Sequence, residues 1–187
     1  MKTRVFFAYA ICGAVFGAIS GIAGAAAFRF HGGQPGWAFA LAVGCGLLFG
    51  VPGAIMGRSK QAALFDPAVG AAFGAAAYAL AKVVYSAGSD LSPNSVALGY
   101  VAFAFVFPAV LAAAHLGALR EKRAFPAGVA FAGTAGLVSL VLAVQVVRPE
   151  TWAAASIVSG AIFGLLVWGA ISLAVKLLGA DIDQFRV

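Results

Sequence analysis

The stretch AVFGAISGIAGAAAF, residues 14–28, decides the fold class because it combines a regular glycine spacing with an almost complete lack of polar side chains. Gly17 and Gly21 extend a row that begins at Gly13, so that a glycine recurs at every fourth position. On an α-helix such a row lies along one face. Three interpretations are open at this point: a phosphate-binding loop, a cleavable export signal, or one wall of a packed helix bundle in a membrane.

The composition of the whole chain favours the membrane. Of its 187 residues 63% are hydrophobic and only 10% are charged, and the mean hydropathy is +1.02. In a soluble protein about a quarter of all residues are charged. We therefore predict an integral membrane protein whose main partner is the lipid bilayer. The formal net charge of +6 does not indicate a nucleic-acid partner, because the basic residues lie in short gaps between apolar runs and form no clustered face.

Six apolar segments are long enough to cross a bilayer as helices, and Pro, Gly, Ser or charged residues separate them. The gaps are too short for a second domain. We therefore predict one all-α, polytopic domain over residues 1–187, a bundle of six transmembrane helices with glycine- and alanine-rich packing faces. The predicted spans are residues 5–28, 37–57, 68–88, 96–119, 127–147 and 153–178.

The basic residues also predict the orientation, since short cytoplasmic loops hold the excess of Lys and Arg. With the amino terminus inside, nine of the 12 Lys and Arg residues fall on the cytoplasmic side, Arg29 and Arg148 fall outside, and Lys82 lies within a span. We expect both termini in the cytoplasm and the chain in the inner membrane of a bacterial-type cell. Trp37 and Trp152 would then both lie at the outer interface.

The other two interpretations of the opening stretch, an export signal and a phosphate-binding loop, have weaker support. A basic start, MKTR, and the A-x-A spacing in AGAAA are ingredients of a signal peptide that would remove residues 1–27, but the apolar run is longer than an export signal needs. The glycine clusters GCGLLFG at 44–50 and GAIMGRSK at 53–60 both miss the spacing of the dinucleotide and Walker loops. We expect a retained helix and no nucleotide cofactor.

Rows of small residues allow two helix backbones to approach closely, which drives helix association in lipid. Such a row would contact a neighbouring helix of the same chain, a membrane-protein partner, or a second copy in a homo-oligomer. The predicted packing or partner face comprises Ala10, Gly13, Ala14, Gly17, Ala18, Gly21, Gly70, Gly74, Gly160 and Gly164.

Lys82 is the charge placed within a predicted span, and an ionisable residue there is by default a functional candidate. Tyr78 and Tyr85 share its helix face, and Trp37 lies at the same side of the membrane. These four residues are the candidate substrate-binding set. The alternative is that the Lys82 side chain extends to the outer interface and serves no substrate.

His115 is surrounded by small residues in LAAAHLGAL, which suits either a structural histidine or a haem or pigment ligand. The absence of a second histidine on a facing helix favours the structural interpretation, and we expect no cofactor and no metal. All six carboxylates, Asp66 among them, are predicted in loops or in the tail. This placement disfavours carboxylate-based ion coupling, and it leaves no catalytic set, so an enzyme is not expected.

Two functions agree with these features. Six spans, both termini inside, and the row Ala10, Ala14 and Ala18 on the first span resemble the substrate-binding subunits of energy-coupling-factor vitamin transporters. In that family such a row docks the transmembrane coupling subunit, although no vitamin-binding motif is recognisable here. The first hypothesis is therefore a transport component, a permease or substrate-binding membrane subunit, for a small neutral or anionic solute. The alternative is a non-catalytic accessory, scaffold or assembly subunit of a larger membrane complex.

Overall fold

A computed structural model describes residues 3–30, 33–87, 92–146 and 152–178, and within these ranges the regular structure is entirely helical. The six helices are α1 (Thr3–Phe30), α2 (Pro35–Gly57), α3 (Lys60–Ala87), α4 (Pro93–Ala118), α5 (Phe125–Val146) and α6 (Trp152–Leu178). Each contains a window long and apolar enough to cross a membrane. The predicted all-α class with six spans is thereby confirmed, and the chain is a multi-pass membrane protein.

Successive helices run antiparallel and pack side by side, and α6 returns to pack against α1. The described helices therefore form a closed ring in chain order. We call the end at which α1, α3 and α5 begin the near end, and the opposite end the far end. The charge bias predicts that the near end is cytoplasmic.

Three of the six interfaces bring helix backbones into direct contact. A methyl group on Gly17 would overlap the carbonyl oxygen of Gly160 across the interface between α1 and α6, and one on Gly46 would overlap that of Gly70 between α2 and α3. Between α4 and α5, a methyl group on Gly136 would overlap the carbonyl oxygen of Ala104. The glycine row of α1 thus faces a helix of its own chain.

Helix α3 begins at Lys60 rather than at residue 68 as predicted. Ser59 starts it, since its Oγ accepts a hydrogen bond of 2.9 Å from the Ala62 amide, as an N-cap residue does. The helix then continues through Pro67, which membrane helices tolerate when neighbouring groups satisfy the backbone. The expectation that Asp66 lies in a loop was therefore wrong, because this residue lies inside a helix.

Candidate functional site

A cavity of about 610 Å³ lies inside the far half of the ring, and all six helices contribute to its wall. Small-molecule sites usually measure about 300–1,000 Å³. Its lining extends from the middle of the bundle to Ala27 and Val84, which lie within one turn of the far ends of α1 and α3. The cavity therefore approaches the far end of the bundle.

The cavity wall is mainly apolar, and no Lys, Arg, His, Asp or Glu of the described ranges lines it. Its polar side chains are Ser20, Cys45, Tyr78, Tyr100, Ser139, Ser156 and Ser159. Ser20 Oγ donates to the Cys45 carbonyl at 2.8 Å and Ser139 Oγ to the Ala135 carbonyl at 2.7 Å. Ser159 differs, because its Oγ is buried without a hydrogen-bond partner among the described residues.

Five phenylalanines close the cavity toward the near end: Phe49, Phe73, Phe103, Phe107 and Phe163. The ring centroids of Phe49 and Phe163, and those of Phe73 and Phe107, are 4.8 Å apart. These are ordinary distances for stabilising aromatic pairs. We call this group the phenylalanine layer. It fills the middle of the bundle and offers aromatic faces to the cavity.

Below the layer, in the near half, three polar side chains from three helices form a buried chain of hydrogen bonds. Asp66 Oδ2 of α3 lies 2.7 Å from His115 Nδ1 of α4. His115 Nε2 lies 3.1 Å from Tyr9 Oη of α1. The exposed fractions of Asp66, His115 and Tyr9 are 0%, 1% and 6%. We call this group the triad.

The remaining walls of the triad come from α2 and α6. A methyl group on Gly53 would overlap Asp66 Oδ2, so only glycine leaves room for this carboxylate. The fully buried Trp168 packs edge-on against His115, with ring centroids 5.3 Å apart and an interplanar angle of 88°. Trp168 Nε1 also donates to the Phe49 carbonyl at 3.1 Å. Trp168 therefore connects the triad to the phenylalanine layer.

A buried carboxylate is costly unless it is paired and hydrogen-bonded. With a neutral imidazole, the His115 Nδ1–H donates to Asp66 and the Tyr9 hydroxyl donates to Nε2. The second carboxylate oxygen, Asp66 Oδ1, is buried without a partner among the described residues. The triad thus contains an ionisable pair, Asp66 and His115, and one acceptor oxygen, Asp66 Oδ1, that lacks a hydrogen-bond partner among the described residues.

The triad was not predicted from the sequence. His115 was expected to be structural because no second histidine lies on a facing helix, and Asp66 was expected in a loop. One signal was available: Ser59 is a good N-cap residue, and KQAALF after it contains mostly helix formers. A helix that starts there carries Asp66 into the membrane-spanning region.

Of the four candidate substrate-binding residues, Tyr78 lines the cavity, and its hydroxyl donates to the Pro35 carbonyl at 3.2 Å. Lys82 is exposed on the outer face of α3 and is not part of the cavity wall. Trp37 is 66% exposed. Tyr85 belongs to α3, but its side chain lies outside the described part of the structure. Of the three members of this set whose side chains are described, Tyr78 alone lines the cavity.

The triad also bears on the haem interpretation of His115. Both ring nitrogens already have partners, Asp66 and Tyr9, so neither is free to bind an iron in this arrangement. Within the described ranges, no three His, Cys, Asp or Glu side chains lie close enough to hold a metal ion.

Comparison with known proteins gives no match, whether with family models, with curated proteins or with solved structures.

The bond from Trp168 to Phe49 can be tested with Trp168→Phe, which keeps an aromatic ring but removes the donor. We expect the free energy of unfolding to fall by about 1–2 kcal/mol, from the lost hydrogen bond and the smaller buried ring. Trp37→Phe is the matched control, since this indole is 66% exposed, and it should leave stability unchanged. Unfolding in mild detergent, followed by circular dichroism, measures both. Equal effects of the two substitutions would contradict a stabilising role for the hydrogen bond from Trp168 to Phe49.

Proposed function

We propose that the protein is a transport component of an inner membrane, and that it binds a small uncharged solute in the cavity of the far half. The observation that carries this proposal is the cavity itself, which lies inside a ring of six membrane helices and has the volume of a small-molecule site. A subunit that only fills space between other proteins has no need for such a cavity.

The chemistry of the wall supports an uncharged solute over an anionic one. No cationic side chain of the described ranges lines the cavity, and Lys82, the cation predicted to serve this purpose, is exposed elsewhere. The phenylalanine layer suits a flat or apolar molecule. The serine and tyrosine side chains in the wall suit a molecule with at least one hydrogen-bonding group.

The position of the cavity supports an entry side. It approaches the far end, whereas the phenylalanine layer fills the middle of the bundle and the triad lies in the near half. With the predicted orientation the far end is the outer side, so the solute would enter from outside the cell.

A cavity-filling substitution tests this proposal. Ala77→Trp places a large ring in the cavity wall, whereas Ala76→Trp places the same ring on the exposed face of α3, one residue away. Each protein is purified in mild detergent and then denatured, and the released small molecules are identified by mass spectrometry. We expect a compound released by the parent protein and by Ala76→Trp, and at least tenfold less of it from Ala77→Trp. Uptake of that compound into vesicles carrying the purified protein should follow the same order.

Release of the same compounds by the parent and the cavity variant would contradict the proposal. If the parent protein and Ala77→Trp release the same compounds, the cavity binds no solute and the transport proposal fails. A stable protein partner recovered with both would then favour the accessory-subunit alternative.

A further inference from the structure

We propose that the Tyr9–His115–Asp66 triad is a proton-binding site. Binding of the proton changes the accessibility of the cavity on the other side of the phenylalanine layer. This inference deepens the proposed transport function and rests on it. It would make the protein a proton-coupled carrier rather than a passive pore.

The cost of the triad is the first reason. Ionisable side chains within membrane spans are expensive, and they commonly form proton relays. Asp66 and His115 are almost completely buried, at 0% and 1% exposure. Apolar side chains of similar size would pack the same space at no such cost. Stability alone therefore does not account for this pair.

The geometry defines two states that differ by one proton. In the first, His115 is neutral, Nδ1–H donates to Asp66 and Nε2 accepts from the Tyr9 hydroxyl. In the second, a proton taken from water at the near end is bound at Nε2. The imidazolium then donates through both nitrogens, and the Tyr9 hydroxyl must turn to accept. No bond to carbon changes and no electron is transferred. Proton binding thus reverses the hydrogen bond between α1 and α4.

The route for this proton is short. His115 lies one turn from Ala118, where α4 ends at the near end. The other ionisable groups close to Tyr9 are Cys12, on the same helix, and Arg58, which is exposed just after the end of α2. The triad therefore lies toward the near end of the bundle, while the cavity approaches the far end.

Direct contacts connect the triad to the cavity. His115 packs edge-on against Trp168, and Trp168 donates to the Phe49 carbonyl. Phe49 packs against Phe163 with the two rings tilted by 56°, and both line the cavity. The contacts from His115 to the cavity floor therefore run through Trp168 to Phe49.

Proton binding can be measured directly because the chain has only two histidines. In a His31→Gln variant labelled with ¹⁵N-histidine, nuclear magnetic resonance reports the two nitrogens of His115 alone. The signals are recorded from about pH 5 to 8, the range in which an ordinary histidine changes its charge, and we expect a reversible change as Nε2 binds the proton. Tyr9→Phe keeps the ring but removes the hydroxyl, and it should move the midpoint. An unchanged neutral His115 over this whole range would overturn the proposal.

The coupling to the cavity needs a second readout. Cys45 lines the cavity and is the only thiol left in a Cys12→Ala background. Its rate of labelling by N-ethylmaleimide is measured above and below the midpoint found for His115. A His115→Gln variant of the same background corrects for the intrinsic pH dependence of the thiol. We expect the corrected ratio to change severalfold across the midpoint, and a ratio that stays constant would overturn the coupling.

Neither measurement uses a solute, so the two proposals can fail separately. If Ala77→Trp and the parent release the same compounds while His115 titrates and Cys45 responds, only the solute proposal fails. If His115→Gln does not fold, the labelling comparison uses Tyr9→Phe, which keeps the buried ring in place. With that variant, a pH response of Cys45 identical to that of the parent would overturn the coupling.

Discussion

Gly17→Ala is expected to lower the free energy of unfolding by about 3 kcal/mol, at the upper end of what overpacking costs. The added methyl group would overlap the carbonyl oxygen of Gly160 and lie 3.2 Å from the Cα of Gly164. Both obstacles are backbone atoms, which cannot rotate away as a side chain can. The two helices must therefore separate, and the neighbouring close contacts of α1 with α6 are weakened with them.

The matched control is Gly44→Ala in α2. A methyl group at this position meets nothing within 4 Å, so the substitution adds no overlap. Since alanine favours a helix over glycine by about 1 kcal/mol, the control should be neutral or stabilising. Thermal or denaturant unfolding in one detergent measures both variants. Similar losses for the two would show that glycine flexibility, and not the close contact, determines stability here.

The six spans could be predicted from the sequence because their cause is local. A run of about 20 apolar residues is itself sufficient to place a helix in lipid, and no contact elsewhere in the chain is needed. The start of α3 was missed for a related reason. Lys60 and Asp66 lower the local hydropathy, so the apolar run appears to begin at residue 68, although the helix begins at Lys60 and Ser59 caps it with a hydrogen bond.

The cavity could not be predicted in the same way, because it is a product of ring closure. Its wall combines residues from six helices, and the closing contact between α1 and α6 joins the two ends of the chain. The rotation of each helix about its own axis determines which of its faces turns toward the cavity. Lys82 shows the consequence: it lies one turn from Tyr78, which lines the cavity, yet Lys82 is exposed. A few tens of degrees around one helix separate the two outcomes.

The triad was missed because its members are far apart in the sequence. Asp66 and His115 are separated by 49 residues, and His115 and Tyr9 by 106. Each residue alone has an ordinary interpretation as a loop acid, a lone histidine or an interfacial tyrosine. Gly53 carries part of the information, since its lack of a side chain is what admits the carboxylate. A single sequence does not distinguish that glycine from its neighbours at 50 and 57.

His115→Leu is expected to cost about 3–5 kcal/mol, because it removes the partner of Asp66 and leaves an uncompensated carboxylate in a fully buried position. Asp66→Leu should cost less, about 1–3 kcal/mol. It leaves a neutral imidazole with one unsatisfied N–H group. The difference follows from the residue that each substitution leaves behind. Asp66→Leu leaves a histidine, which can be neutral at neutral pH. His115→Leu leaves a carboxylate, which must bind a proton to become neutral.

The double variant Asp66→Leu/His115→Leu gives the sharper result. It removes both members of the ion pair, so neither is left buried without its partner, and the only group that loses a bond is the Tyr9 hydroxyl. Replacing a buried pair by apolar side chains is often neutral or stabilising. We therefore expect the double variant to be more stable than His115→Leu by at least about 2 kcal/mol. Unfolding of all four proteins in one detergent closes the cycle. Additive losses would mean that Asp66 and His115 do not interact, and the triad, as well as the proton site built on it, would be refuted.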